Sequence, residues 1–134
     1  MAQMDQTQHA LAEHIKSLNS AEAATWLVHE FPVSSLEYGR AFDLIKQRSW
    51  KKSEQLMLCR YYMQKVPFAS PKPYETFASL MSLRAFLSIL KEVYPKKKED
   101  LQLFLYHLKP VLSRNISAAT DKEEVELFLS SCEQ

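Results

Sequence analysis

The sequence predicts an all-α fold, a single irregular antiparallel helical bundle of about six to seven helices. Three observations support this prediction: apolar residues recur at helical spacing along the chain, helix-start signals separate the periodic segments, and Gly39 is the only glycine in 134 residues. Glycine supplies the positive φ angles of tight hairpin turns and lets a backbone approach phosphate closely. A sheet protein or a nucleotide-binding α/β protein would need several glycines, so helices are favoured.

Two helices are expected near the N-terminus. Apolar residues at spacings of four and three mark the first, at 7–18. Asn19 and Ser20 offer side-chain caps for the second, at 21–31, and Pro32 ends it because the residue before a proline avoids the helical conformation.

Two further helices are expected before residue 66. Ser34 and Glu37 have the spacing of a capping box, which predicts a third helix at about 35–48. Ser49 offers a cap for a fourth helix at 50–65. The apolar residues that the third helix should direct to the core are Leu36, Ala41, Phe42, Leu44 and Ile45.

The second half contains the longest periodic segment. Two adjacent apolar stripes predict one long central helix at 74–94, closed by Pro95. A sixth helix is expected at 98–113, where Pro110 should kink or truncate the last turn. A second capping-box pattern, Thr120 with Glu123, predicts a short final helix.

The domain organisation follows from one proline-rich stretch. The loop 67–73 divides the chain into two halves, 1–66 and 74–134, each small for an independent core. We therefore expect one domain, 1–134. Stacking like that of helical repeats stays open as an alternative, although no sequence period of about 30 to 45 residues is found.

Motifs that carry chemistry are missing from the sequence. His9 and His14 are five residues apart, which turns them to different faces of a helix, and no serine lies between spaced glycines. We expect no catalytic residue, no metal ligand and no cofactor. Cys59 and Cys132 are far apart, and Cys59 has apolar neighbours, so free thiols in a reducing cytoplasmic compartment are predicted. No apolar run is long enough to span a membrane, and no membrane contact is expected.

Charge is segregated along the chain although the formal net charge is only +1. Residues 40–72 contain eight basic side chains and two acids, whereas 121–134 contain five acids and one lysine. Two basic clusters, 46–52 and 96–98, lie at predicted helix junctions. The basic residues that we expect to bind a partner are Lys46, Arg48, Lys51, Lys52, Lys96, Lys97 and Lys98.

Two aromatic residues are the least easily explained as core. Trp50 lies among lysines and Phe68 lies in the proline-rich loop, and an exposed aromatic residue beside basic ones is typical of an interface. We expect Trp50 and Phe68 to bind the partner if their side chains are exposed. The leading hypothesis is a non-catalytic protein–protein interaction module, such as an adaptor or an inhibitor or immunity-type protein. It would cover a protein partner with an acidic surface.

The alternative is a nucleic-acid-associated factor. It would use the clusters 46–52 and 96–98 to neutralise phosphates, with Trp50, Tyr61 or Tyr62 stacking on bases.

Overall fold

A computed structural model describes residues 6–133, and the regular secondary structure of these residues is entirely helical. The predicted all-α bundle is confirmed, with eight helices among the described residues in place of six or seven. In chain order they are α1 (Gln6–Ser17), α2 (Ser20–Glu30), α3 (Arg40–Ile45), α4 (Lys52–Met63), α5 (Lys72–Leu80), α6 (Leu83–Val93), α7 (Lys98–Arg114) and α8 (Ala119–Cys132).

The extra helix comes from a break inside the segment 74–94, so the prediction of one long helix there is wrong. Met81 and Ser82 have extended backbone angles, and the Ser82 hydroxyl accepts a hydrogen bond from the Ala85 N–H (3.2 Å) as the cap of α6. Both α5 and α6 bury apolar residues, so the periodic pattern continues across the break. Periodicity alone therefore gives no sign that the helix axis changes.

The third helix is much shorter than predicted, because residues 33–39 form turns rather than a helical turn capped by Ser34. The predicted capping box with Glu37 does not form, and the Glu37 N–H instead donates to the Ser35 hydroxyl (3.1 Å). Leu36, predicted to face the core, is fully exposed at 102%.

Ser49 was predicted to cap the fourth helix, and this prediction is wrong as well. Helix α4 begins at Lys52 after Lys51, with no side-chain cap.

Helix α7 agrees with the predicted sixth helix in its bounds. It continues through Pro110 to Arg114, so Pro110 does not truncate it, and the alternative of a kink stays a prediction. A proline leaves the carbonyl four residues earlier without its helical partner, and here Tyr106 and Pro110 both lie on an exposed face, where water can reach that carbonyl. Thr120 lies inside α8 rather than capping it, and Asp121 caps the helix instead, accepting from the N–H groups of Ser117 (3.0 Å) and Ala118 (3.2 Å).

The start of α2 agrees with the prediction. The Asn19 side chain accepts a hydrogen bond from the Glu22 N–H (2.8 Å), and the Glu22 carboxylate accepts one from the Asn19 N–H (3.3 Å). This reciprocal pair satisfies two backbone donors that would otherwise lack partners at the helix start.

We expect Asn19→Ala to lower the free energy of unfolding by about 1 kcal/mol, because it removes a side-chain cap. Urea denaturation followed by circular dichroism measures the change. Thr120→Ala is the matched control: Thr120 is exposed inside α8 and makes no cap, so its replacement should leave stability within about 0.5 kcal/mol. Equal losses for the two variants would contradict this assignment of the caps.

The helices pack in two rows. The even-numbered helices contact one another in sequence, α2 with α4, α4 with α6 and α6 with α8, and the odd-numbered helices do the same from α1 to α7. Side-chain contacts place like ends together in the even row: the Lys51 N–H at the start of α4 donates to Ser20 at the start of α2 (3.0 Å), and Arg60 pairs with Glu92 near the ends of α4 and α6 (3.2 Å). This arrangement resembles the stacking of helical repeats.

The core is continuous across the proline-rich loop. Helices α3 and α4 from the first half contact α5, and α4 also contacts α6. One cluster of buried apolar residues includes members from Ala12 to Cys132. Each half therefore buries part of its apolar surface against the other.

Candidate partner-binding surface

Three exposed lysines lie at the junction between α3 and α4, where Lys46 follows the end of α3 and Lys51 and Lys52 lie at the start of α4. We call Lys46, Lys51 and Lys52 the basic edge. All three side chains are exposed, and within residues 6–133 no carboxylate lies within 4.0 Å of their ammonium groups. Glu54 lies near this edge; hydrogen bonds from Ser20 and Ser53, and the charges of Lys51 and Arg48, hold the pKa of its carboxyl below the usual value. Glu54 offsets part of the charge of Lys51, but among the described residues none of the three lysines forms an ion pair, so the basic edge keeps a net positive charge.

Arg48 belongs to the same cluster in sequence but has a different environment. Its guanidinium donates to the carbonyl oxygens of Ile15 (3.0 Å), Leu18 (2.6 Å) and Ser49 (2.8 Å), and it covers the ring of Trp50 at 4.7 Å. Two of these carbonyls lie at the C-terminal end of α1, where a positive charge is favourable. Arg48 is thus occupied in fixing α1 to the junction between α3 and α4.

Trp50 and Phe68 are both buried, with 6% and 3% of their surfaces exposed. Their expected role in binding a partner required exposed side chains, so neither residue meets that requirement. The Trp50 indole N–H donates to the Ile45 carbonyl (2.9 Å), which fixes the ring under Arg48. The Phe68 ring packs against Phe42 (6.0 Å) and Tyr74 (5.4 Å) because the proline-rich loop folds back over the core.

The second basic cluster, Lys96 to Lys98, does not join the basic edge. Lys96 follows the end of α6, and its ammonium lies 3.6 Å from the centre of the Tyr94 ring. Lys97 and Lys98 are exposed at the start of α7, directly before Glu99 and Asp100. Since the even helices lie with like ends together, Lys96 lies at the opposite helix ends from Lys51 and Lys52. The offset along the helix axis is about 12 Å, the length of the eight helical residues from Lys52 to Arg60.

The two cysteines and Tyr74, whose side chains could carry out chemistry, are buried. Burial raises the pKa of the Cys59 thiol to about 12, so this thiol stays protonated at neutral pH, and burial also raises the pKa of Cys132. Tyr74 is likewise buried, and its pKa is raised to about 12. In the part of the chain that the structure describes, no three His, Cys, Asp or Glu residues lie close enough to hold a metal ion, and no helix is long and apolar enough to cross a membrane.

Sequence reasoning missed a cleft of about 400 Å³ between α3 and the loop before α5. We call it the aromatic cleft; its principal lining residues are Tyr38, Arg40, Phe42, Asp43, Phe68 and Lys72. Lys72 pairs with Asp43 across it (2.8 Å), and Arg40 pairs with Glu37 at its rim (3.8 Å). The lining comes from segments about thirty residues apart, so no local pattern could have revealed it.

Gly39 also lines the aromatic cleft, and as the only glycine of the sequence it is the one residue that could have drawn attention to this cleft. Its φ of −63° and ψ of −21° are ordinary right-handed helical values that every residue type adopts. A Cβ atom added there would meet nothing within 4 Å. Glycine in helical conformation is less stable than alanine by about 0.5 to 1 kcal/mol, so neither backbone nor packing explains this residue.

No protein family, curated protein or solved structure matches the chain.

Proposed function

We propose that the protein is a non-catalytic binding protein, such as an adaptor or an inhibitor that covers a partner, and that its basic edge docks on an acidic protein surface. The observation that carries this proposal is the exposure of Lys46, Lys51 and Lys52, none of which has a carboxylate partner in the part of the chain that the structure describes. Unpaired surface charges speed the encounter with a partner of opposite charge and disfavour partners of like charge.

The support beneath the basic edge favours a specific surface over a merely solvated one. The Lys51 backbone is held by Ser20, Gln55 donates to the Trp50 carbonyl (3.1 Å), and Arg48 is held by three carbonyl oxygens. A backbone fixed in this way loses little conformational entropy when a partner binds.

A reducing, cytoplasmic compartment is part of the proposal. It is supported by Cys59 and Cys132, which are both buried as free thiols.

Nucleic-acid binding, the alternative, has less support. Stacking on bases needs open aromatic faces, whereas Trp50 and Tyr62 are buried and the Tyr61 hydroxyl is engaged by the Val33 N–H (3.0 Å).

The test compares partner capture by the full chain and by two charge-reversed variants. We expect Lys51→Glu with Lys52→Glu to weaken binding to the captured protein on the order of tenfold or more, because two attractive contacts become repulsive. Lys97→Glu with Lys98→Glu is the matched control, since it changes the net charge equally at the other cluster and should leave binding nearly unchanged. Pull-down from native lysate followed by titration with the identified partner measures the effect.

Equal weakening by both double variants would show that only net charge matters and would contradict a defined docking edge. A salt-dependent shift of a single-stranded RNA or double-stranded DNA probe, lost in Lys51→Glu with Lys52→Glu and not matched by any protein partner, would establish the alternative instead.

A further inference from the structure

We infer that the aromatic cleft receives an apolar side chain, preferably an aromatic one, from the acidic segment of the partner that the basic edge binds. This inference rests on the proposed function and makes the partner's chemistry more specific. It predicts a short acidic segment with one apolar anchor residue rather than a diffuse acidic surface.

The position of the cleft relative to the basic edge is the first argument. Gly39, Asp43 and Lys46 are four and three residues apart, and all have helical backbone angles, so they lie along one face of α3. Gly39 and Asp43 line the cleft, and Lys46 belongs to the basic edge. The distance along the helix from Gly39 to Lys46 is about 10 Å, which three residues of an extended peptide span.

The floor of the cleft is aromatic. Tyr38 lies beside Phe68 with ring centres 6.4 Å apart and planes at 30°, and Phe42 meets Phe68 edge to face at 6.0 Å. Phe42 and Phe68 are buried, whereas Tyr38 is half-buried and borders the opening. An apolar side chain seated here gains contact with the exposed part of the Tyr38 ring and with the few exposed atoms of Phe42 and Phe68, and it leaves water.

The charges at the rim favour an acidic segment around that anchor. Both rim acids already have basic partners, Asp43 in Lys72 and Glu37 in Arg40. By contrast, Lys46 has no carboxylate partner among residues 6–133. Lys65 also has none there, and its ammonium covers one face of the Tyr38 ring at 4.9 Å. The charge left unpaired around the cleft is therefore positive.

Gly39 is the independent observation that points to an occupant. The only glycine of the chain lies at the cleft, has a backbone conformation open to all residues and has space for a side chain. Glycine leaves this wall of the cleft without a side chain, so a bound segment can approach the backbone closely there. A larger side chain would occupy that open space.

The experiment uses a fluorescently labelled peptide with one phenylalanine between runs of aspartate and glutamate, and the same peptide with alanine in place of that phenylalanine. We expect the full chain to bind the phenylalanine peptide more tightly on the order of tenfold, by anisotropy titration at low salt. Gly39→Leu should abolish this preference. Lys51→Glu with Lys52→Glu should weaken both peptides alike and keep the preference.

Two further variants make the result decisive. Ala69→Leu fills the cleft from its other wall and replaces Gly39→Leu if that variant does not fold, as judged by thermal unfolding. Ala119→Leu adds an exposed leucine at the start of α8 and should leave the preference intact.

Equal affinity of the full chain for the two peptides would overturn the inference and leave the proposed function standing. Binding of neither peptide would also overturn it, and the pull-down with the charge-reversed variants would decide the proposed function separately.

Discussion

Phe42→Ala is expected to lower the free energy of unfolding by about 3 to 5 kcal/mol, because it leaves a cavity at the centre of an aromatic cluster. The Phe42 ring meets Tyr62 at 5.4 Å, Phe68 at 6.0 Å and Phe77 at 6.2 Å. These partners come from α4, the proline-rich loop and α5, so the substitution removes contacts that join the two halves of the chain.

Urea denaturation at neutral pH measures this loss, and Leu36→Ala is the matched control. Periodicity predicts that both residues face the core from one helix, yet Leu36 is fully exposed and should change stability by less than about 0.5 kcal/mol. Losses of similar size for the two variants would show that the segment 34–39 packs differently from the turns described above.

Arg48→Ala is expected to lower the free energy of unfolding by about 2 to 3 kcal/mol, because hydrogen bonds to a charged group are strong and the carbonyl oxygens of Ile15 and Leu18 lose their donor. The Trp50 ring also loses the guanidinium that covers it. Arg48→Lys should recover only part of this stability, since an ammonium group cannot reproduce the planar arrangement of donors. Thermal and urea unfolding of both variants provide the measurement.

The same variant separates a structural role from partner contact. Lys52→Ala is the control, and as an exposed, unpaired residue it should change stability by less than about 0.5 kcal/mol. At a temperature where all variants are folded, Arg48→Ala should weaken binding of the captured partner less than Lys51→Glu with Lys52→Glu does, because it loosens the support of the basic edge but removes no partner contact. Full stability combined with lost binding would show instead that Arg48 contacts the partner directly.

The candidate site was predictable from the sequence only in part. The exposure of Lys46, Lys51 and Lys52 could be anticipated because lysine is seldom buried without a partner. The separate role of Arg48 could not, since its three acceptors depend on how α1 approaches the junction between α3 and α4. The burial of Trp50 and Phe68 likewise depends on the path of the junctions, which local spacing does not encode.

Local interactions explain what the sequence by itself determined. The all-α fold could be predicted from helical spacing and the scarcity of glycine, because both reflect the conformation of a few neighbouring residues. The start of α2 could be predicted for the same reason, since its cap joins Asn19 to Glu22, three residues away. The same local rules gave wrong helix starts at Ser34 and Ser49 and missed the break at Met81 and Ser82. At these places several helix starts are compatible with the local sequence, and tertiary packing decides which one forms.

Only the tertiary structure decided the two-row packing, the separation of the two basic clusters and the aromatic cleft. Each of these depends on contacts between residues some thirty positions apart, such as Lys72 with Asp43 and Arg60 with Glu92. The free energy gained by burying apolar surface depends on the area buried and not on how far apart the residues are in the sequence. The apolar pattern of a helix therefore shows which face is buried but not which other helix covers it.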